Sequence, residues 1–160
     1  MKIGVVSDTH SFPLPAQMLQ DFQKVDLIVH AGDFCTRDIL EELKKLGEVR
    51  AVHGNMDGSS LRKLLPRSQI FAVGRFAVGL FHGEGPPATL LEKVRAEFQK
   101  SHVDVIIFGH SHQPMNAVRS GILFFNPGSA TDQVTAPFCS YGILTVDENG
   151  IKGAIIKVKG

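Results

Sequence analysis

Short apolar runs that end on polar, glycine-flanked positions set the pattern of this chain. Lys2 to Ser7 is an apolar, β-branched run closing on Ser7-Asp8, as expected of a strand covered on both faces. Leu27 to His30, Val49 to Val52 and Val103 to Phe108 repeat the pattern. Between them, Met18, Leu19 and Phe22 follow Pro13 and Pro15 at helical spacing, and Ile39, Leu40, Leu43 and Leu46 precede Gly47. These spacings predict helices over 16–22 and 38–46. A short helix is predicted over 60–65, ended by Pro66, and the longest over 89–99, with Leu90, Leu91, Val94 and Phe98 on one face.

Gln69 to Val73 and Phe76 to Phe81, joined by Gly74-Arg75, read as a tight hairpin. Beyond residue 108 the pattern changes to hairpins: Ala117-Val118 turns into Ile122 to Phe125, and Tyr141 to Val146 turns at Glu148-Asn149-Gly150 into Ile151 to Val158. Strand-helix alternation followed by hairpins predicts an α/β (α+β) fold of two sheets packed face to face, with helices outside at least the first. A chain of 160 residues with no repeat and no linker is expected to form a single domain over 1–160. Asn126 to Pro137 lacks any period and is expected to be a mobile or partner-contacting loop.

Each apolar run carries its polar groups at the C-terminal edge, in four of five cases beside a glycine: Asp8-Thr9-His10, Gly32-Asp33, Gly54-Asn55, His82-Gly83 and Gly109-His110-Ser111-His112. In open α/β sheets these edges line the ligand crevice, so five strands aim their groups at one place. Any one of them has a plain explanation as a turn residue or helix cap, but five in a row do not. A mixed imidazole, carboxylate and amide set suits divalent first-row metals, and seven donors suit two ions sharing a carboxylate better than one zinc.

Composition narrows the partners. Apolar residues make up 43% and charged residues 21%, far from disordered compositions. A net charge of +1 with scattered Lys and Arg gives no footprint for a nucleic-acid polymer. A small phosphorylated substrate remains compatible, because bound metal supplies local positive charge. Cys35 and Cys139 form neither a disulfide framework nor a thiolate zinc pattern, and as free thiols they fit a cytoplasmic location. No export signal or membrane span is read, and homo-oligomerisation is left open.

The ordered set of five motifs, spread over most of the chain, resembles the calcineurin-like metallophosphoesterases. With the short length and Asn126-Pro127-Gly128-Ser129, it is similar to their small single-domain YfcE-type phosphodiesterase branch. The resemblance implies a four-layer αββα sandwich. It implies that Asp8, His10 and His112 hold one metal and Asn55, His82 and His110 the second, with Asp33 bridging. It also implies a metal-bridging hydroxide that attacks phosphorus in line, with Asn55 touching a phosphate oxygen. Manganese is the first choice of metal, with nickel, iron, cobalt or zinc as alternatives.

The chain departs from the family pattern at three places. Met56 stands where larger relatives carry a His that steadies the transition state or protonates the leaving oxygen. Asp57 is then the candidate acid, its alternative reading being a carboxylate that caps the loop or holds a ligand. Glu84 replaces the last His of His-Gly-His, and no Arg follows Pro137 to clamp phosphate. His30 and His53 read as strand-end histidines satisfied by their surroundings, and Cys35 as a small thiol near the site. The competing function is a scaffold: the small retromer subunit keeps this fold as a protein-binding module with an impaired metal site. The complete set of seven ligands favours the enzyme.

Overall fold

The computed structural model describes residues 1–160. Its first half alternates: β1 (Lys2–Val6), α1 (Ala16–Phe22), β2 (Leu27–His30), α2 (Arg37–Lys44), β3 (Val49–Ala51) and α3 (Ser59–Leu64). There follow β4 (Ser68–Val73), β5 (Phe76–Phe81), α4 (Pro87–Glu97), β6 (Val105–Ile107), β7 (Met115–Arg119), β8 (Ile122–Asn126), β9 (Ser140–Asp147) and β10 (Gly150–Lys157). The strands form two mixed five-stranded sheets, ordered β10-β9-β1-β2-β3 and β4-β5-β6-β8-β7. Strands β1, β2 and β3 run parallel, as do β5, β6 and β8.

Burial explains the layering. The inner faces of both sheets meet in one core of Val5, Val29, Leu80, Val105, Ile107, Phe125 and Leu144, among others. The outer face of the first sheet is covered by Met18, Phe22, Leu40, Leu43 and Leu61 from α1, α2 and α3. Leu90 and Val94 of α4 cover the second against Ile106 and Phe124. The result is the expected αββα sandwich. Because β1, β2 and β6 are covered on both faces they are buried almost throughout, whereas the edge strand β10 has no fully buried position.

Several boundaries differ from the predicted ones. Helix α4 begins at Pro87, not Thr89, because Pro86 and Pro87 occupy its cap and first position, where a missing N–H costs nothing. Helix α2 ends at Lys44, with Leu46 already in a tighter turn on Leu43. Strand β6 pairs only over 105–107, although Val103 and Phe108 are buried beside it. The segment over 126–137 is anchored at its start, while Gln133, Val134 and Thr135 remain exposed. Asn126, Ser129 and Ala130 are buried, and the Ser129 hydroxyl donates to the Asp8 carbonyl at 2.7 Å.

Candidate metal centre

All seven predicted ligands come together at one end of the sandwich. Asp8 and His10 follow β1, Asp33 follows β2 and Asn55 follows β3, all from the first sheet. His82 follows β5, and His110 and His112 follow β6, from the second. The turns that carry them are strained. Of the non-glycine residues with positive φ, Asp8, His10, Asp33, His110 and His112 are candidate ligands, and Ser11 and Cys35 are their neighbours. Such conformations cost on the order of 1–3 kcal/mol each and survive only where the surroundings impose them.

Glycines admit the close crossings. A Cβ at Gly54 would run into Asp33 Oδ1, and one at Gly109 into Ser7 Oγ and, at 2.6 Å, Asp8 Oδ2. Asp8 Oδ2 accepts from the Ser7 hydroxyl and from the His110 N–H. Asp33 Oδ1 accepts the Met56 N–H at 2.8 Å. One oxygen of each carboxylate is thereby fixed, and the other faces the cluster.

The free donors fall into two overlapping groups. Asp8 Oδ1 lies 3.8 Å from His10 Nε2 and 3.4 Å from His112 Nε2, and those two nitrogens are 3.2 Å apart. Asp33 Oδ2 lies 3.3 Å from His82 Nε2 and 3.7 Å from His10 Nε2, reaching both groups. Asn55 Oδ1 is 3.0 Å from His82 Nε2 and 3.1 Å from His110 Nδ1. Neighbouring donors around an ion with metal–donor distances of about 2.0–2.2 Å lie about 3.0–3.7 Å apart, so this spacing is that of a coordination shell.

Hydrogen bonds on the far ring nitrogens decide which nitrogen faces inward. His82 Nδ1–H donates to the Ala31 carbonyl at 2.7 Å, and His110 Nε2–H to the Gly85 carbonyl at 2.8 Å. His112 Nδ1–H donates to Asp132 Oδ2 at 2.6 Å, and His10 Nδ1 faces Cys35 Sγ at 3.5 Å. The opposite nitrogens of His82, His110 and His112 are thereby turned toward the carboxylate and amide oxygens of the cluster, the orientation a shared cation would use.

Electrostatics agrees. Although burial alone would raise it, the imidazoles of His10 and His112 hold the Asp8 carboxyl well below the usual range. The neighbouring Asp8 and, after it, Asp132 push His112 up to about 9 against burial. Burial lowers His82, but Asp33 and Asp8 outweigh it and raise it. Asp8 Oδ1 is also the one buried side-chain polar atom without a hydrogen-bond partner. A buried orphan oxygen ringed by imidazole nitrogens fits a divalent ion, and the donor set fits it chemically.

Asp57 is not placed as an acid. It is buried, Oδ2 accepts N–H bonds from Asp33 and Gly54, and Oδ1 accepts one from Cys35. With both oxygens turned to backbone donors, it ties the loop after β2 to the loop after β3. The Met56 side chain stands in solvent. Glu84 pairs with Arg67 at 3.4 Å, and Arg67, stacked 4.7 Å over Phe81, also reaches Glu97. His30 is satisfied as expected: it accepts the Gly32 N–H, contacts Thr9 Oγ1 at 3.1 Å and stacks on Phe34.

Asp132, which carries His112, is the residue that sequence reasoning missed. It is gripped in turn by the N–H groups of Val134, Thr135 and Ala136 and by the Thr135 hydroxyl. The only signal was an acidic residue six positions past Asn126 in a stretch without period.

Comparison with known proteins agrees with the geometry. The calcineurin-like phosphoesterase superfamily domain matches residues 1–149. A probable metallophosphoesterase of Methanothermobacter thermautotrophicus is 38% identical over 162 residues, covering 98% of this chain and 92% of that protein. A phosphodiesterase of Methanocaldococcus jannaschii is 25% identical over 170 residues, covering 98% of this chain and all of that one. The crystal structure of Vps29 from Chaetomium thermophilum superposes with a TM-score of 0.79 over 99% of this chain and 97% of that one. At 24% identity that likeness shows the shared fold alone. With its two-sheet sandwich, its converging donors and this match, the chain belongs to the calcineurin-like phosphoesterase superfamily, whose members use divalent metals.

Proposed function

We propose that this protein is a dinuclear-metal-dependent phosphoesterase that hydrolyses small phosphodiesters, with phosphomonoesters as a second substrate class. The observation that carries the reading is Asp8 Oδ1, buried, unpartnered and within 3.8 Å of three imidazole nitrogens. Asp8, His10 and His112 hold one ion, and Asn55, His82 and His110 the other. Asp33 Oδ2, within reach of His10 and His82, is shared between them. The likeness to the Methanocaldococcus phosphodiesterase supports the choice of diesters. Manganese is the first metal to test.

Two divalent ions supply Lewis acidity toward phosphoryl oxygen and ready ionisation of water near neutral pH. The chain's own part is orientation. Far-nitrogen hydrogen bonds fix the tautomers of His82, His110 and His112, and the Asp8 and Asp33 carboxylates are each fixed through one oxygen. Asn55 Oδ1 faces His82 and His110, which leaves its Nδ2 to donate to a phosphoryl oxygen. With Met56 in solvent and Asp57 locked on backbone donors, the leaving oxygen has no side-chain acid, so esters of acidic alcohols react fastest.

The test is turnover of bis-p-nitrophenyl phosphate and p-nitrophenyl phosphate by metal-stripped protein reloaded with Mn, Ni, Zn or Mg. We expect turnover with manganese, and for Asp33→Ala the loss of bound metal and of activity by about a thousandfold. No turnover with any metal, or Asp33→Ala keeping full activity and two ions, overturns the reading. Two tightly bound ions without turnover favour the scaffold.

A further inference from the structure

Two cavities flank the donor cluster, and they differ in kind. On the Asn55 and His82 side lies a small polar one of about 210 Å³, walled by Arg62, Arg67 and Glu84. On the His10 and His112 side lies one of about 870 Å³, with Phe12, Pro13 and Val134 in its wall. We infer that this larger cavity is a subsite for an aromatic ester group of the substrate, seated on Phe12; the inference rests on the phosphoesterase reading above.

The argument begins with how the cavity is made. Its apolar walls come from the same turns that present the donors. The Phe12 N–H closes a turn on the Thr9 carbonyl, around His10. The Val134 N–H closes a turn on Asp132 Oδ1, the carboxylate that holds His112. A phosphorus held at the donor cluster therefore has one face toward this cavity, and an ester oxygen on that face directs its substituent between Phe12 and Val134.

The character of the wall selects the substituent. Phe12 is 58% exposed and Val134 90%, so two large apolar side chains stand in water beside a polar donor cluster. Asp132 offers a ligand no free acceptor, because His112, Thr135 and three N–H groups already engage its oxygens. The volume lies within the range of cavities that enclose small organic ligands, and it exceeds what a methyl or ethyl ester would fill. A ring stacked on Phe12 removes apolar surface of both partners from water, and the opposite cavity, polar and smaller, offers no equivalent.

Binding of phenylphosphonate and methylphosphonate to manganese-loaded protein, measured by calorimetry, tests the inference without turnover. Phenylphosphonate is expected to bind about tenfold more tightly, as burial of one ring face predicts. Phe12→Ala and Val134→Asn are each expected to narrow that gap to about twofold while methylphosphonate binding stays within about twofold. Equal affinity for the two phosphonates in the wild type, or a tenfold gap that survives both substitutions, overturns the subsite. Parallel turnover of bis-p-nitrophenyl phosphate separates the levels. Turnover without a phenyl preference removes the subsite alone, whereas absence of turnover together with absence of phosphonate binding removes the phosphoesterase reading as well.

Discussion

Asp132 Oδ2 lies 2.6 Å from His112 Nδ1, and this one contact turns the other nitrogen of the imidazole toward Asp8. Carboxylates that orient a ligating histidine typically contribute 10–100-fold to metal affinity or activity. Asp132→Ala is therefore expected to weaken metal binding by about that factor, read by calorimetric metal titration. Asp132→Asn, which keeps an acceptor for the ring N–H, should lose less. Equal loss in both variants would point to a collapsed loop instead.

Asp57 predicts a stability effect in place of a kinetic one. Its carboxylate receives three backbone N–H groups from two loops, and truncation leaves those donors unpaired. Asp57→Ala should destabilise the metal-loaded protein by about 3 kcal/mol in urea denaturation. The leaving-group dependence of the wild type, measured on a series of aryl phosphodiesters, should be steep. An Asp57→Asn variant that stays stable but loses the basic limb of its pH profile would restore Asp57 as the acid.

His30 predicts the pH dependence of folding. Burial holds it neutral, with a pKa lowered to about 3 against an ordinary 6.5. Between those values the unfolded chain binds a proton that the folded one refuses, so stability falls as pH falls below 6.5 and is independent of this residue above it. From pH 7 to pH 5 the loss from His30 is about 2 kcal/mol. Metal-free wild type and His30→Gln, compared by urea denaturation at the two pH values, should differ by that amount, the variant losing less.

Glu84 predicts a substrate effect. Its carboxylate sits beside the polar cavity, shared with Arg67. Glu84→Gln removes a negative charge, and should lower KM for the dianionic monoester by about two- to fivefold at low salt, and less for the monoanionic diester. A change of equal size for both substrates, or one insensitive to salt, would mean that Glu84 acts through loop structure.

The strand ends were legible because a doubly covered strand must be apolar until it leaves the core. The polar residues after β1, β2, β3, β5 and β6 are therefore marked by contrast. The same contrast gave the two sheets and the covering faces of α1, α2 and α4. Asp132 and the burial of Ser129 carry no such contrast, since the segment after β8 is fixed by individual hydrogen bonds to Asp8, Thr9 and His112. The role of Asp57 was equally hidden, because its partners are N–H groups that every residue possesses. The partner of Glu84 lies 17 positions away, across β4 and β5.

Each donor group draws on both sheets: Asp8 and His10 face His112, and Asp33 and Asn55 face His82 and His110. At the crossing points the Gly109 backbone presses on Asp8 and the His110 N–H holds it. The cluster thus works as a rivet through the two sheets, and the spacing between its halves is set by how the sheets sit on one another, not by loop flexibility. Small volume changes in the seam between the sheets, at Val5, Ile107 or Phe125, would then be transmitted as shear and read out as changed distances between the donors of the two sheets.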